Sequence, residues 1–295
     1  MEVLIAQIFN GLSLGSIYVL LVTGFNLLLL VAMIIHFSFP VVVVFSMYVS
    51  WAVMTATGIV PLGILAGIVS AVAVNVVTAP MFQHIMKKRG SVDINATMVI
   101  SMGMGMIITD ILSHTFNQGF PIAFPDALTG NDMGALISVG LVSITRGQVL
   151  TLVVGVIFVL FLFWLLYKTR AGRAFRAIAE DPNGAKLVGI PLLKTGFQSY
   201  ALTGILGGVT AILMAVLLGS ASAGLGDQLG HKVLAVSIIA GLGNLTGGLI
   251  IGLLLGVVEA VIQGYLAGSW SNAIAFIIML VVILAKPKGV FGSKL

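Results

Sequence analysis

A single carboxylate interrupts the apolar stretches near the C-terminus. Glu259 stands in GVVEAVIQGYL, and Gln263 follows one helical turn later. A charge inside a membrane span is costly, so such a residue is a functional candidate by default, and a proton-coupled carrier could use it. A buried glutamate bonded to neighbouring backbone is the structural alternative. Glu259 is thus the residue that an ion-coupled secondary transporter would use, and the sequence leaves both interpretations open.

Other polar side chains occur inside apolar stretches. Asp110 and His114 are four residues apart, so on a helix they share a face and can pair. Asparagines in such stretches either line a path or hydrogen-bond neighbouring helices together. The residues that we predict to line a pathway are Asn10, Ser13, Tyr18, Asn26, Asn244 and Glu259.

A second kind of site is indicated by EDPNGAKLVGIP, residues 180–191, in a polar segment between two apolar stretches. Its residues predict a very short helix, with Asp181 as N-cap, Pro182 at the first helical position and Gly189 as the stop. About two turns of helix do not hold together alone in water, because nucleation costs more than so few hydrogen bonds return. Either another protein supports this helix, or the segment is a solvated basic loop on anionic lipid.

Several chemistries are excluded by what the sequence lacks. No Gly-Lys dipeptide occurs, so the chain has no phosphate-binding loop of the usual ATPase type. There is no cysteine, and the four histidines are scattered without metal-ligand spacing. We therefore predict a protein that is not an enzyme, with no metal and no cofactor of its own.

Composition defines the elements that must hold these residues. The 295 residues are 59% hydrophobic and only 8% charged, and no Asp, Glu, Lys or Arg occurs between Glu2 and Lys87. No water-facing surface of that length would tolerate such a composition. The predicted fold is an all-α polytopic integral membrane protein, one domain over residues 1–295, with about 8–10 transmembrane helices. Stretches long enough to span roughly 30 Å of hydrocarbon lie near 3–35, 40–57, 60–79, 96–113, 149–167, 197–219, 233–266 and 270–285.

Glycine-rich sequences interrupt the two longest stretches. NGLSLGS lies in the first and AGLGNLTGG in the seventh, so each stretch is expected to be kinked, re-entrant or doubled. The seventh matters most for topology, because a C-terminus on the inside requires 233–266 to cross twice, or to enter and turn back.

The distribution of charge predicts the orientation. Twelve of the 14 basic residues lie at 87–89, 168–194 and 286–294, and the positive-inside rule places these groups in the cytoplasm. The net charge of +5 then reflects topology, and we expect no nucleic-acid partner. The loops at 114–148 and 220–232 hold Asp126, Asp132 and Asp227 with only Arg146 and Lys232, and both are expected outside. The first is either a folded cap or a contact for a soluble partner.

Four stretches together resemble the permease subunits of branched-chain amino-acid-type ABC importers. They are NGLSLGSIYVLLVTGFN at 10–26, RAGRAFRAIAEDPNGAKLVGI at 170–190, GLGNLTGGLIIGLLLGVVEAVIQGYL at 241–266 and KPKGVFG at 286–292. The likeness covers most of the chain and keeps the order and spacing of these stretches, but it is weak across 114–150. One segment departs from the pattern: IHFSFPVVVVFSMY at 35–48 has Pro40 where the family usually has a glycine.

The resemblance implies an importer of several subunits in a bacterial or archaeal plasma membrane. Two related permeases, or two copies of one, form the pathway for an amino acid or another small polar solute. Separate ATPase subunits use ATP on the cytoplasmic side, and a soluble binding protein delivers the solute from outside. Residues 168–196 then form a cytoplasmic coupling loop whose short helix docks into an ATPase groove. The coupling residues implied are Glu180, Asp181, Pro182, Ala185, Leu187, Val188, Gly189 and Ile190.

Overall fold

The computed structural model describes residues 2–89, 94–129, 135–139, 142–265, 269–286 and 289–291. Parts of the predicted loop at 114–148, with Asp132, and part of the basic tail, with Lys288 and Lys294, lie outside the described residues. Helices make up most of the described chain, which confirms the all-α prediction.

Twelve α-helices and four short strands are defined within the described ranges. The helices are α1 Glu2–Ala32, α2 Phe39–Thr57, α3 Val60–Arg89, α4 Ile94–Thr115, α5 Asp126–Thr129, α6 Arg146–Lys168, α7 Arg170–Glu180, α8 Pro182–Leu187, α9 Leu192–Leu218, α10 Leu225–Ala240, α11 Leu245–Tyr265 and α12 Ser269–Ala285. The strands are β1 Ile122–Ala123, β2 Ala135–Val139, β3 Val142–Thr145 and β4 Ser220–Ala221. β1 pairs antiparallel with β4, and β2 pairs antiparallel with β3.

In the part of the chain that the structure describes, seven helices are long and apolar enough to cross a membrane: α1, α2, α3, α4, α6, α9 and α11. Helices α10, with 16 residues, and α12, with 17, are shorter. At about 1.5 Å per residue, α10 is roughly 24 Å long.

Helix α1 lies at the centre of the bundle and packs against α6, α9, α10 and α11. Within its most apolar stretch, 83% of the residues are buried inside the protein, against 22% for α3, α4 and α6. The outer helices therefore present apolar side chains such as Leu65, Met106 and Leu160 to the surroundings, as expected of a protein surrounded by lipid.

The two ends of the bundle differ in their connections. One end, here called the basic end, carries α7 and α8 with their arginines and lysines. The opposite end, called the loop end, carries the β1–β4 pair, and there Trp51 Nε1 donates to the Ala123 carbonyl oxygen at 2.9 Å.

Helix α1 runs through NGLSLGS as one continuous helix, so the first stretch is not doubled. The glycines serve instead to bring α1 and α11 together. A Cβ on Gly15 would lie 2.9 Å from Leu253 Cα, and one on Gly256 would overlap the backbone of Gly15. Small residues at a helix interface allow such backbone contact, and they make α1 and α11 one closely packed pair.

The seventh apolar stretch contains two helices joined by a turn, which agrees with an interruption at its glycines. It divides at Gly241–Asn244 into α10 and α11. Beyond α12, the tail returns to this turn: Val290 N–H donates to the Ile239 carbonyl oxygen at 2.7 Å, and Phe291 N–H donates to that of Ala240 at 3.3 Å. Tyr167, near the end of α6, lies 3.4 Å from Thr246 through their hydroxyl oxygens. The turn and the tail therefore share the basic end with α7.

The segment that departs from the family pattern connects α1 to α2. Pro40 lies in the first turn of α2, where its missing N–H would have no helical partner, so proline is tolerated there. Phe37 N–H donates to Ser101 Oγ at 3.0 Å, which fixes the connection to α4. Burial lowers the pKa of His36, within this connection, to about 4, so its ring is neutral at physiological pH.

Candidate functional site

Helix α8 has the caps that its residues predict. Asp181 Oδ1 accepts a hydrogen bond from Asn183 N–H at 3.0 Å, and Pro182 opens the helix. At the other end, Gly189 has φ +82, and its N–H donates to the Lys186 carbonyl oxygen at 3.1 Å. Ile190 N–H donates to that of Ala185 at 3.0 Å. This pair of bonds is the Schellman motif, which needs a left-handed residue after the helix.

The four apolar residues of this segment face two directions. Ala185 is buried and Ile190 packs against the core, so these two support α8 from within the chain. Leu187 and Val188 are 88% and 76% exposed. The surface available to a partner is therefore smaller than the sequence predicts, and it consists of Leu187 and Val188. Glu180 is also exposed, at the end of α7.

A cavity of about 590 Å³ lies behind α8, between α7, α9 and the end of α1. Its lining is mostly apolar, with Ile178 and Ile190 on one side and Val31 on another, and Lys186 borders it. Tyr200 also lines the cavity, and its buried hydroxyl has no protein partner among the described residues. The short helix thus borders a cavity at the basic end, while Ala185 and Ile190 keep it packed against the core.

The charged cluster lies elsewhere, among α1, α10 and α11. Lys232 Nζ lies 2.5 Å from Glu259 Oε1 and donates to the Tyr18 hydroxyl at 3.0 Å. Tyr18 in turn donates to Glu259 Oε2 at 2.6 Å, and Gln263 Nε2 donates to Glu259 Oε1 at 3.2 Å. Lys232, Tyr18, Glu259 and Gln263 are called the charge cluster below. Both carboxylate oxygens are occupied, so Glu259 is held by an ion pair and not by neighbouring backbone.

Sequence reasoning missed Lys232 because it assigned residues 220–232 to an external loop. Helix α10 begins at Leu225, eight residues earlier than the apolar stretch predicted. The buried positions Leu229, Val233 and Val236 follow helical spacing on both sides of the lysine. This periodicity, read through the charge, is the signal that would have placed Lys232 on a helix.

The structure brings Tyr18 and Glu259 together but distributes the other predicted pathway residues. Gln148 Nε2 donates to Asn10 Oδ1 near the loop end, where Ser13 Oγ lies 3.0 Å from the Gln148 carbonyl oxygen. These two residues join α1 to α6. Asn244 is in the turn at the basic end, where its Oδ1 accepts from Gly247 N–H at 2.7 Å and its Nδ2 donates to the Phe291 carbonyl oxygen at 2.8 Å.

Asn26 differs from these residues because its amide is buried without a hydrogen-bond partner among the described residues. It faces α11, since a Cβ on Gly248 would lie 3.2 Å from Asn26 Nδ2. A buried amide in that state is free to bind a passing polar group or water. By contrast, Asp110 and His114 pair as expected at 3.4 Å on an exposed face.

Long apolar helices arranged around a buried ion pair are those of a polytopic membrane protein. The family model described as "Branched-chain amino acid transport system / permease component" matches residues 7–283, and the chain belongs to this family.

Individual relatives match over nearly their whole length. The permease protein BraD of a high-affinity branched-chain amino acid transport system from Pseudomonas aeruginosa is 26% identical, with 97% of this chain and 95% of BraD covered. The corresponding protein LivH from Escherichia coli is 25% identical over 97% of this chain and 94% of its own. A probable LivH permease from Methanocaldococcus jannaschii is 27% identical, with 94% and 89% covered. No solved structure matches this chain.

Proposed function

We propose that this chain is the membrane-spanning subunit of an ABC importer for a branched-chain amino acid or a similar small polar solute. The solute moves by alternating access, and a separate ATPase subunit supplies the energy. The relatives named for branched-chain amino acid transport support the substrate class. The observation that carries the ATPase partner is α8, a rigidly capped helix that exposes Leu187 and Val188 beside a run of cations.

In this proposal the basic end faces the cytoplasm, because lysine and arginine are retained on that side. Helix α8 then projects toward an ATPase, and Leu187 inserts into a groove on its surface. The cavity behind α8 allows the helix to tilt as the ATPase changes shape. ATP is bound and hydrolysed by the partner, since this chain has no phosphate-binding loop.

The remaining partners follow from the same arrangement. A second permease, either a homologue or another copy of this chain, completes the pathway, and the complex lies in the plasma membrane of a bacterium or an archaeon. The loop end faces outward, so the described part of 114–148, including the exposed Asp126, meets a soluble solute-binding protein.

The rival function is an ion-coupled secondary transporter that uses Glu259. Such a carrier needs a carboxylate that gains and loses a proton or an ion during each cycle. Here Lys232 and Tyr18 occupy both Glu259 oxygens, so a coupling ion would have to displace one of them. The family match favours the ATP-driven function over the rival.

Reconstitution tests the two functions against each other. The chain would be co-expressed with the ATPase and permease genes next to it, purified through a tag on this chain and placed in proteoliposomes with the cognate binding protein. We expect an ATPase to co-purify, and uptake of labelled L-leucine that requires ATP and survives a protonophore. The chain purified alone should hydrolyse no ATP. Uptake that collapses with the proton gradient while ATP is maintained would establish the rival function.

Orientation has its own test, with single cysteines in a chain that has none. A cysteine at Lys186 should react with a membrane-impermeant thiol reagent only from the cytoplasmic side, and a cysteine at Asp126 only from outside. The tail position Lys288 should behave like Lys186. Labelling of a cysteine at position 186 from outside would show that the orientation is the reverse, and that α8 cannot contact a cytoplasmic ATPase.

A further inference from the structure

In the charge cluster, Tyr18, Lys232 and Glu259 each bond to the other two, in an otherwise apolar region. Glu259 is 4% exposed, whereas the Lys232 side chain is 14% exposed. Tyr18 accepts from the lysine and donates to the glutamate, so the three groups satisfy one another. A cluster that only held helices together would not need charges, because apolar side chains pack as well or better at such positions. The presence of one positive and one negative group needs a further reason.

The two charges belong to different helices. Glu259 and Gln263 lie on α11 and Tyr18 lies on α1, and the backbones of these two helices touch through Gly15 and Gly256. Lys232 lies on α10, which packs against both of them. The acidic half of the cluster is thus held by the closely packed α1–α11 pair, and the basic half is carried by a third helix.

Lys232 and Gln263 are the members of the charge cluster that are not buried, Lys232 in part and Gln263 to a greater extent. On α10, Lys232 follows Gln228 by one helical turn, and Asp227, Gln228 and His231 are all exposed. These three residues lie between the start of α10, at the loop end, and Lys232. A solute that approaches along α10 from the loop end therefore meets the lysine before the buried glutamate.

We propose that the charge cluster recognises the zwitterionic head of an α-amino acid, with Lys232 holding the carboxylate, and Glu259 and Tyr18 holding the ammonium. This inference rests on the proposed function and names the groups that bind the charged head of the substrate. Separation of Lys232 from Glu259 leaves two uncompensated charges away from water, which is strongly unfavourable. A ligand that carries both charges on neighbouring atoms restores both pairs at once, whereas an amine or a carboxylic acid restores only one. The internal ion pair therefore excludes solutes that lack either charge.

The test uses a doubly neutralised variant, Lys232→Met together with Glu259→Gln, in the purified complex. Removing both charges leaves neither one unpaired, and Gln still bonds to Tyr18, so we expect near wild-type abundance. In proteoliposomes, the KM for L-leucine should rise at least tenfold. The matched control, Asp110→Asn with His114→Gln, removes the exposed pair and should leave the KM unchanged. A wild-type KM in the doubly neutralised complex would show that the charge cluster is only structural.

A second measurement decides the matter without any variant. The wild-type complex, without binding protein, would be melted in the presence of L-leucine, isoamylamine, which lacks the carboxylate, or isocaproate, which lacks the ammonium. We expect L-leucine alone to raise the Tm. Equal shifts with all three ligands, or none with L-leucine, would overturn the proposal. Absence of ATP-driven leucine uptake by the wild type would instead overturn the proposed function, so the two failures are distinguishable.

Discussion

The charge cluster buries a charged side chain, whereas helix α8 exposes an apolar one. In the charge cluster, Glu259 is 4% exposed and each of its oxygens has a partner from another helix. On α8, Leu187 is 88% exposed, so the described residues leave most of its apolar surface uncovered. The polar groups of the charge cluster have partners within the chain. The apolar face of α8 is buried only if another molecule covers it.

This difference determines where a substitution should act. A change that leaves one charge of the cluster unpaired alters the free energy of folding of the chain, since the groups that it pairs with lie within the chain. A change at the exposed face of α8 leaves folding intact and alters assembly, since the partner is external. Measuring membrane abundance and ATPase recruitment separately therefore distinguishes the two regions.

The largest effect is expected from Lys232→Met alone. The substitution leaves Glu259 buried without its cation, and loss of one member of a buried pair costs about 3–5 kcal/mol. We expect little of this variant in the membrane, measured by quantitative immunoblot against wild type. Adding Glu259→Gln should restore most of the abundance. Full abundance of the single variant would mean that the pair contributes nothing to folding.

The second effect is expected from Leu187→Asp. If Leu187 is buried in an ATPase groove, it contributes roughly 1.5–3 kcal/mol there, so the variant should bind the ATPase about 10- to 100-fold more weakly. Membrane abundance should stay normal, because Leu187 contacts no core. Asn183→Asp is the control, since it adds the same charge on the same helix and removes no apolar surface. If equal amounts of ATPase co-purify with the Leu187→Asp variant and with wild type, Leu187 has no role in coupling.

A smaller effect is expected from Gly189→Val. No atom lies within 4 Å of a Cβ at this position, so the substitution adds no clash. It does place a β-branched residue at φ +82, and the left-handed conformation costs roughly 1–2 kcal/mol. ATPase recovery should fall by less than for Leu187→Asp, and Gly189→Asn should recover it because asparagine tolerates this conformation. If ATPase recovery with Gly189→Asn is as low as with Gly189→Val, the explanation from backbone conformation is contradicted.

The smallest effect is expected from Asp181→Ala. It removes the hydrogen bond to Asn183 N–H, and loss of such an N-cap typically costs about 1 kcal/mol. We expect a modest reduction in coupled uptake, measured as leucine transported per ATP hydrolysed. Asp181→Ser retains a capping oxygen and should behave as wild type. A serine variant as impaired as the alanine variant would show that the charge matters and the cap does not.

The sequence-based expectations differ in outcome for a physical reason. The α8 caps were predictable because Asp181, Pro182 and Gly189 act through hydrogen bonds and backbone angles within a few residues. The unbroken course of α1 through NGLSLGS was not, because whether a glycine breaks a helix or admits a neighbour depends on the neighbour. Here α11 lies against Gly15, so the glycine allows the two helices to make close backbone contact.

The sequence by itself determined an all-α membrane protein, the division of 233–266 at its glycines and the position of α8, since hydropathy, length and capping are local properties. It named Tyr18 and Glu259 as separate candidates and left Lys232 in a loop. Only the tertiary structure decided that these three form one cluster, because residues 241 positions apart in the chain meet at 2.6 Å. It also decided that Ala185 faces inward while Leu187 faces outward, because that choice depends on which side of a two-turn helix the rest of the chain covers.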